Sequence, residues 1–171
     1  AEKNIPLELD ELLKTFYPNS DLKSLNELTA FIQDRLINYL KDKGFTPQQV
    51  EAVAGEMPKT LDNILERANA VKLFSQLNQS EDLASANKRV VNILKKYNSN
   101  NIETIDPSLL IENEEKFLFK SLNETSKKIR EFVKARDYDR ALSILINLKE
   151  PIDLFFEKIM VNADDDAIKK N

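Results

Sequence analysis

Lys88, Arg89, Lys95 and Lys96 lie close together in one stretch, and no acid interrupts the run from Asn87 to Asn98. Ammonium and guanidinium groups bind phosphate, and the amides of Asn87 and Asn92 can pair with the edge of a base. If the stretch is helical, Lys88, Asn92 and Lys95 share one side. Arg89 and Lys96 share an adjacent side, and both sides lie away from the apolar positions. Lys127, Lys128, Arg130, Lys134 and Arg136 form a second basic region with only Glu131 among them. A run of charge is most often a solvated helix face. The balance of 25 Lys and Arg against 29 Asp and Glu gives a net charge of −4, so any contact with nucleic acid has to be a local patch.

Other chemistry has little to work with. The chain contains no histidine and no cysteine, which removes the usual proton-transfer group near neutral pH, the commonest metal ligand and all thiol chemistry. Two glycines, Gly44 and Gly55, cannot build a phosphate-cradling loop. Asp164, Asp165 and Asp166 could hold a divalent cation, but consecutive side chains diverge, and an acidic helix start fits them better. Serine and lysine are plentiful, yet no nucleophile turn organises a pair of them. Phe155 and Phe156 could stack on bases, although consecutive aromatics on a core helix more often pack. The expectation is a domain without a catalytic residue, a metal or a cofactor of its own.

These groups need a scaffold, and the composition dictates a helical one. Scarce glycine and abundant Leu, Lys, Glu, Ala and Asn favour helix, and no stretch alternates long enough for a strand. The first short helix is expected over 10–17, stopping before Pro18. The second covers 24–43, with Leu25, Leu28, Ile32, Leu36 and Tyr39 inward, a capping box of Ser24 and Glu27, and Gly44 as its left-handed stop. Thr46, Pro47 and Gln49 form a complete start signal, with Phe45 and Val50 as a hydrophobic staple. That helix ends near Gly55 and Pro58, and Thr60 starts another with Leu61, Leu65, Ala68 and Phe74 or Leu77 inward.

Ser80 opens the helix that carries the first basic group, with Glu81 and Asp82 in its first turn. Its apolar stripe is Leu83, Ala86, Val90, Ile93 and Leu94, then Tyr97. Asn87 lies near the edge of that stripe, where a buried structural hydrogen bond is as good a role as base contact. An Asn/Ser loop follows over 98–101, and Asp106 and Pro107 form a cap with a first-turn proline. A long helix over 114–134 places Leu118, Leu122, Thr125, Ile129 and Phe132 at four-three spacing, which suits an antiparallel neighbour. Asp137 opens the next helix, with Tyr138, Ala141, Leu145 and Leu148 inward. Pro151 interrupts it or begins another, in which Ile152, Phe155, Ile159 and Met160 continue the face.

The pattern predicts an all-α bundle of seven to eight helices joined by short connections, with a core that needs no ligand. Residues 1–19 are expected to lead in as a linker with a short helix, and 20–171 to form the domain. Hydrophobic residues at 42% and charged residues at 32% mark a folded chain. No apolar run approaches the roughly 20 residues needed to span a bilayer. A start without methionine and an end inside a helical pattern lead to the expectation of a piece of a longer protein.

Two stretches carry a resemblance. One is Ala84-Ser85-Ala86-Asn87-Lys88-Arg89-Val90-Val91-Asn92-Ile93-Leu94; the other runs from Pro151 through Leu154-Phe155-Phe156-Glu157-Lys158 to Asp164-Asp165. With Glu2-Lys3-Asn4-Ile5-Pro6-Leu7, the stretch 31–44 and Asp137-Tyr138-Asp139-Arg140-Ala141-Leu142, they resemble the C-terminal region of the β subunit of bacterial tetrameric glycyl-tRNA synthetases. The resemblance spans nearly the whole chain. It implies a helical anticodon-binding domain related to that of arginyl-tRNA synthetase, with tRNA-Gly as its partner. It also implies an α subunit that activates glycine with ATP, assembly into a heterotetramer of two α and two β chains, and a cytoplasmic location, with no membrane or DNA partner. Many relatives read Ala-Leu-Arg where this chain has Ala167-Ile168-Lys169, a conservative departure that leaves a role for Lys169 open. On this basis Asn87, Lys88, Arg89, Asn92, Lys95, Lys96, Lys127 and Lys128 are the expected RNA-binding residues. The alternative is a helical scaffold that mediates subunit assembly without reading bases.

Overall fold

The computed structural model describes residues 8–55, 60–96, 105–161 and 165–171, apart from the side chains of Asp10, Lys96, Asp166 and Lys170. The architecture is all-α. Among the described residues there are eight α-helices of six residues or more, a five-residue terminal helix and two 3-10 segments. The chain forms two compact units, 1–74 and 75–171.

The first unit holds α1 (Leu9–Phe16), α2 (Leu22–Asp42), α3 (Pro47–Ala54) and α4 (Ile64–Ser75), whose last residue falls at the boundary. Its core is Leu36, Leu40, Val50, Ala54, Ile64 and Ala68, with Ile37, Phe45, Val53, Leu61 and Leu65 packed against it. The expected start of α3 is present in full: Thr46 accepts from the Gln49 amide, Gln49 reaches back to the Thr46 amide, and Pro47 fills the first position. The Gln33 side chain donates from α2 to the carbonyls of Ala54 and Gly55, each at 2.9 Å, and so satisfies the end of α3. Gly44 ends α2 at φ 87°. Its N–H donates to Lys41 and that of Phe45 to Leu40, the paired bonds of a Schellman motif.

Three expectations in this unit need correction. Asp21, not Ser24, caps α2, accepting from the Ser24 amide at 2.7 Å, so the helix starts two residues early. Tyr39 is exposed beneath the Lys43 ammonium, while Leu40 is fully buried, because the apolar stripe steps by four from Leu36 rather than three. Thr60 does not start α4. It pairs as an isolated bridge with Glu8, which holds it extended, and the helix begins at Ile64.

The second unit holds α5 (Ser80–Lys96), a 3-10 turn Pro107–Leu109, α6 (Asn113–Lys134), α7 (Tyr138–Ser143), a 3-10 segment Ile144–Leu148, α8 (Lys149–Lys158) and α9 (Asp166–Lys170). Helix α6 packs against α7, α8 and the segment Ile144–Leu148, and α5 packs against α8 and that same segment. The four-three stripe on α6 is inward as expected, with Thr125 buried. Asp137 caps α7, Asp106 caps its 3-10 turn, and Asp165 caps α9 through the amides of Ala167 and Ile168. The end of α6 repeats the Schellman bonds of α2, Arg136 to Val133 and Asp137 to Phe132, but places Arg136 at φ 58° where glycine is usual. Pro151 is buried in the first turn of α8, where its missing N–H costs nothing. Leu94 and Met160 were expected inward and are 56% and 78% exposed. Tyr97, Asp164 and the 98–101 loop lie outside the described residues.

Candidate nucleic-acid interface

Helix α5 turns Leu83, Ala86, Val90 and Ile93 inward, toward its packing partners α8 and Ile144–Leu148. This leaves Lys88, Asn92 and Lys95 on the opposite side, all exposed. Asn87 is exposed too, so the buried structural role weighed for it does not hold. Neither Lys88 nor Lys95 has an acidic partner among the described residues, which leaves both ammonium groups available to an anion. Lys96 is the last residue of α5.

Arg89 sits on a flank of this face and is engaged differently. Its guanidinium lies over the Phe156 ring, with the central carbon 3.9 Å from the ring centroid. At that distance the cation is in van der Waals contact with the face of the ring. Phe156 in turn meets Phe155 edge-to-face at 5.5 Å. One step back along the seam, the Lys149 ammonium reaches Asp82 of α5 at 3.6 Å and Asp153 of its own helix at 2.7 Å. These contacts, the Asp153 hydrogen bond first, raise the Lys149 pKa above the ordinary lysine value. Asp82 to Arg89 and Lys149 to Phe156 are both seven residues, so α5 and α8 run parallel along a seam with rungs about 10 Å apart. The acids of the seam are occupied by Lys149, and it is a ring that supports Arg89.

Lys127 and Lys128 are exposed on α6, about 100° apart around the helix. Lys127 belongs to a longer line that the sequence reading missed in part. Lys116, Lys120, Asn123, Lys127, Arg130 and Lys134 are all exposed and recur at the same four-three spacing as the buried stripe. The line runs along α6 for about 27 Å. Lys116 donates to the Ile111 carbonyl, and Lys120 lies 4.0 Å from Glu124. Applying the period of the core to the polar positions would have found Lys116 and Lys120. The basic positions of α5 and α6 lie on helices that each pack against α8.

Comparison with known proteins decides what this unit is. The model of the DALR anticodon binding domain matches residues 83–171, which fall wholly within the second unit and run from Leu83 of α5 through α9. The chain belongs to the DALR anticodon binding domain family. The full chain is also similar to glycine–tRNA ligase beta subunits. That of Ralstonia nicotianae is 42% identical over 147 residues, covering 86% of this chain and 21% of the relative. That of Delftia acidovorans is 38% identical over 174 residues, covering 100% and 25%, and that of Methylobacillus flagellatus 40% over 171 residues, covering 98% and 24%. The chain thus spans a quarter or less of the length of these relatives. Within the DALR domain, Ala167 and Lys169 of the Ala-Ile-Lys stretch are exposed on α9, while Ile168 is half-buried. Among the described residues no helix is long and apolar enough to cross a membrane.

Proposed function

We propose that this DALR domain binds the anticodon region of tRNA-Gly through the outward side of α5, as part of the β subunit of a glycine–tRNA ligase. The observation that carries the reading is the pairing of a family match over 83–171 with an exposed side of α5 that presents Lys88, Asn92 and Lys95 and has no acid beyond the helix's first turn. Lys88, Lys95 and Lys96 bind phosphates; Asn87 and Asn92 meet base edges; Lys127 and Lys128 supply weaker contacts from α6 to another part of the backbone. A confined patch of this kind is compatible with a net charge of −4.

In this reading the fragment holds tRNA while the chemistry occurs elsewhere. An α subunit activates glycine with ATP and assembles with β into a heterotetramer of two α and two β chains in the cytoplasm. No residue of this chain is asked to act as acid, base or nucleophile.

A rival reading, a scaffold for subunit assembly, draws on one observation: Val91 and Leu94 are 39% and 56% exposed on the other flank of α5. Titration of glycine tRNA transcripts, with anticodon bases changed and salt varied, separates the two. Anticodon-binding predicts weaker binding when those bases are changed and a salt slope that shrinks on charge reversal at Lys88 and Lys95. Affinity indifferent to the anticodon supports the scaffold.

A further inference from the structure

The placement of Arg89 suggests a more specific contact than phosphate neutralisation. We propose that Arg89 and Phe156 form a stacking platform for one unpaired nucleobase, the guanidinium lying between the ring below and the base above. The inference rests on the tRNA-binding reading and assigns Arg89 a base rather than a phosphate.

Four observations support it. The guanidinium carbon is 3.9 Å from the Phe156 centroid, so the cation is already seated on the ring. Arg89 is exposed, which leaves the cation accessible to a ligand. The carboxylates along the seam, Asp82 and Asp153, are held by Lys149, so no acid there draws the guanidinium off the ring. Finally, Phe156 is half-buried and braced by Phe155 at 5.5 Å, so the base of the stack is fixed.

A planar cation fixed in this way has lost most of its rotamer freedom before the ligand arrives, and that lowers the entropy cost of stacking. Unpaired loop bases bind proteins by stacking on aromatic rings and on guanidinium planes. Asn92, one turn along α5 from Arg89, is within about 5–6 Å at Cβ on ordinary helix geometry. A base on the platform can therefore offer its edge to that amide, which couples stacking to recognition.

The test uses the whole chain and a tRNA-Gly transcript, alongside transcripts with a single abasic residue at each position of the anticodon loop. Affinities are measured for wild type, Arg89→Lys, Arg89→Ala and Phe156→Leu, with thermal melts to confirm that each variant is folded. Arg89→Lys keeps the charge and loses the plane. The platform predicts that all three variants bind intact tRNA about tenfold more weakly. One abasic transcript should cost wild type the same factor, and on that transcript Arg89→Lys should lose nothing more. The salt slope of Arg89→Lys should match wild type.

The proposal is overturned if Arg89→Lys binds as wild type while Arg89→Ala weakens binding and lowers the salt slope by about one, the behaviour of a phosphate contact. It is also overturned if the Arg89→Lys loss is equal on every abasic transcript, or if no Arg89 variant has an effect. In each of those cases wild type still binds and the anticodon-binding reading stands. Wild type that binds no tRNA at low salt defeats both.

Discussion

The Arg89 guanidinium rests on the Phe156 ring 3.9 Å below it, two turns along the α5–α8 seam from the Lys149–Asp82 ion pair. One contact is a cation on an aromatic face and the other an ion pair, and together they fix the direction of α8 against α5. Arg89→Ala should lower the stability of the second unit by about 0.5–1 kcal/mol, the range for an exposed cation–π pair. Urea unfolding checks this. A loss several times larger would mean that Arg89 supports the core directly.

The ends of α2 and α6 share the same hydrogen bonds but differ in the residue at the left-handed position, Gly44 in one and Arg136 in the other. A side chain there costs about 1 kcal/mol. Gly44→Ala should destabilise by about 0.5 kcal/mol, since alanine's smaller freedom in the unfolded chain offsets part of that cost. Arg136→Gly should stabilise by about 0.5 kcal/mol, less because glycine adds freedom to the unfolded chain. Thermal melts of both variants should move in opposite directions.

Stability should depend on pH at both extremes. Asp21 is held below the ordinary carboxylate value by the Ser24 amide and hydroxyl, and Asp106 by the Ser108 hydroxyl and amide. A depressed folded pKa adds stability above the unfolded value, and that stability is lost as pH falls through the folded one. Lys149, raised chiefly by Asp153, behaves in the opposite sense: its contribution is full below the ordinary lysine value and is lost as pH rises through its folded pKa. Melts across pH should show Asp21→Asn flattening part of the acid limb, since asparagine still caps a helix without titrating. Lys149→Met should flatten part of the alkaline limb.

Local chemistry made much of the fold legible in the sequence. The start of α3 needed only Thr46, Pro47 and Gln49, all within one turn, and the structure contains each contact. The four-three stripe of α6 was equally readable, because a helix 22 residues long repeats its period several times. Long-range pairing was not readable. Thr60 has the chemistry of a helix cap, but a bridge to Glu8 holds it extended. Residues 144–148 carry apolar spacing that an α-helix would also satisfy, and they form a tighter 3-10 segment between α7 and α8. Leu94 and Met160 fit the apolar pattern, yet both stay exposed.

The candidate interface divides along the same line. Lys88, Asn92 and Lys95 share a side by helix geometry alone, and the structure exposes that side. Arg89 required knowledge of where α8 lies, because its partner is 67 residues away in sequence. The alignment of α5 with α8 was invisible to periodicity, and so was the difference between a lysine free to meet phosphate and an arginine seated on a ring.

The central claim is that the outward side of α5 meets the anticodon region of tRNA-Gly, and contact mapping tests it most directly. With p-benzoylphenylalanine in place of Asn92, irradiation of the complex should crosslink tRNA-Gly within its anticodon stem-loop. The same probe in place of Asn123 on α6 should crosslink more weakly and elsewhere on the RNA. A crosslink from position 92 to the acceptor stem, or none from 92 alongside a strong anticodon-loop crosslink from 123, would contradict the account.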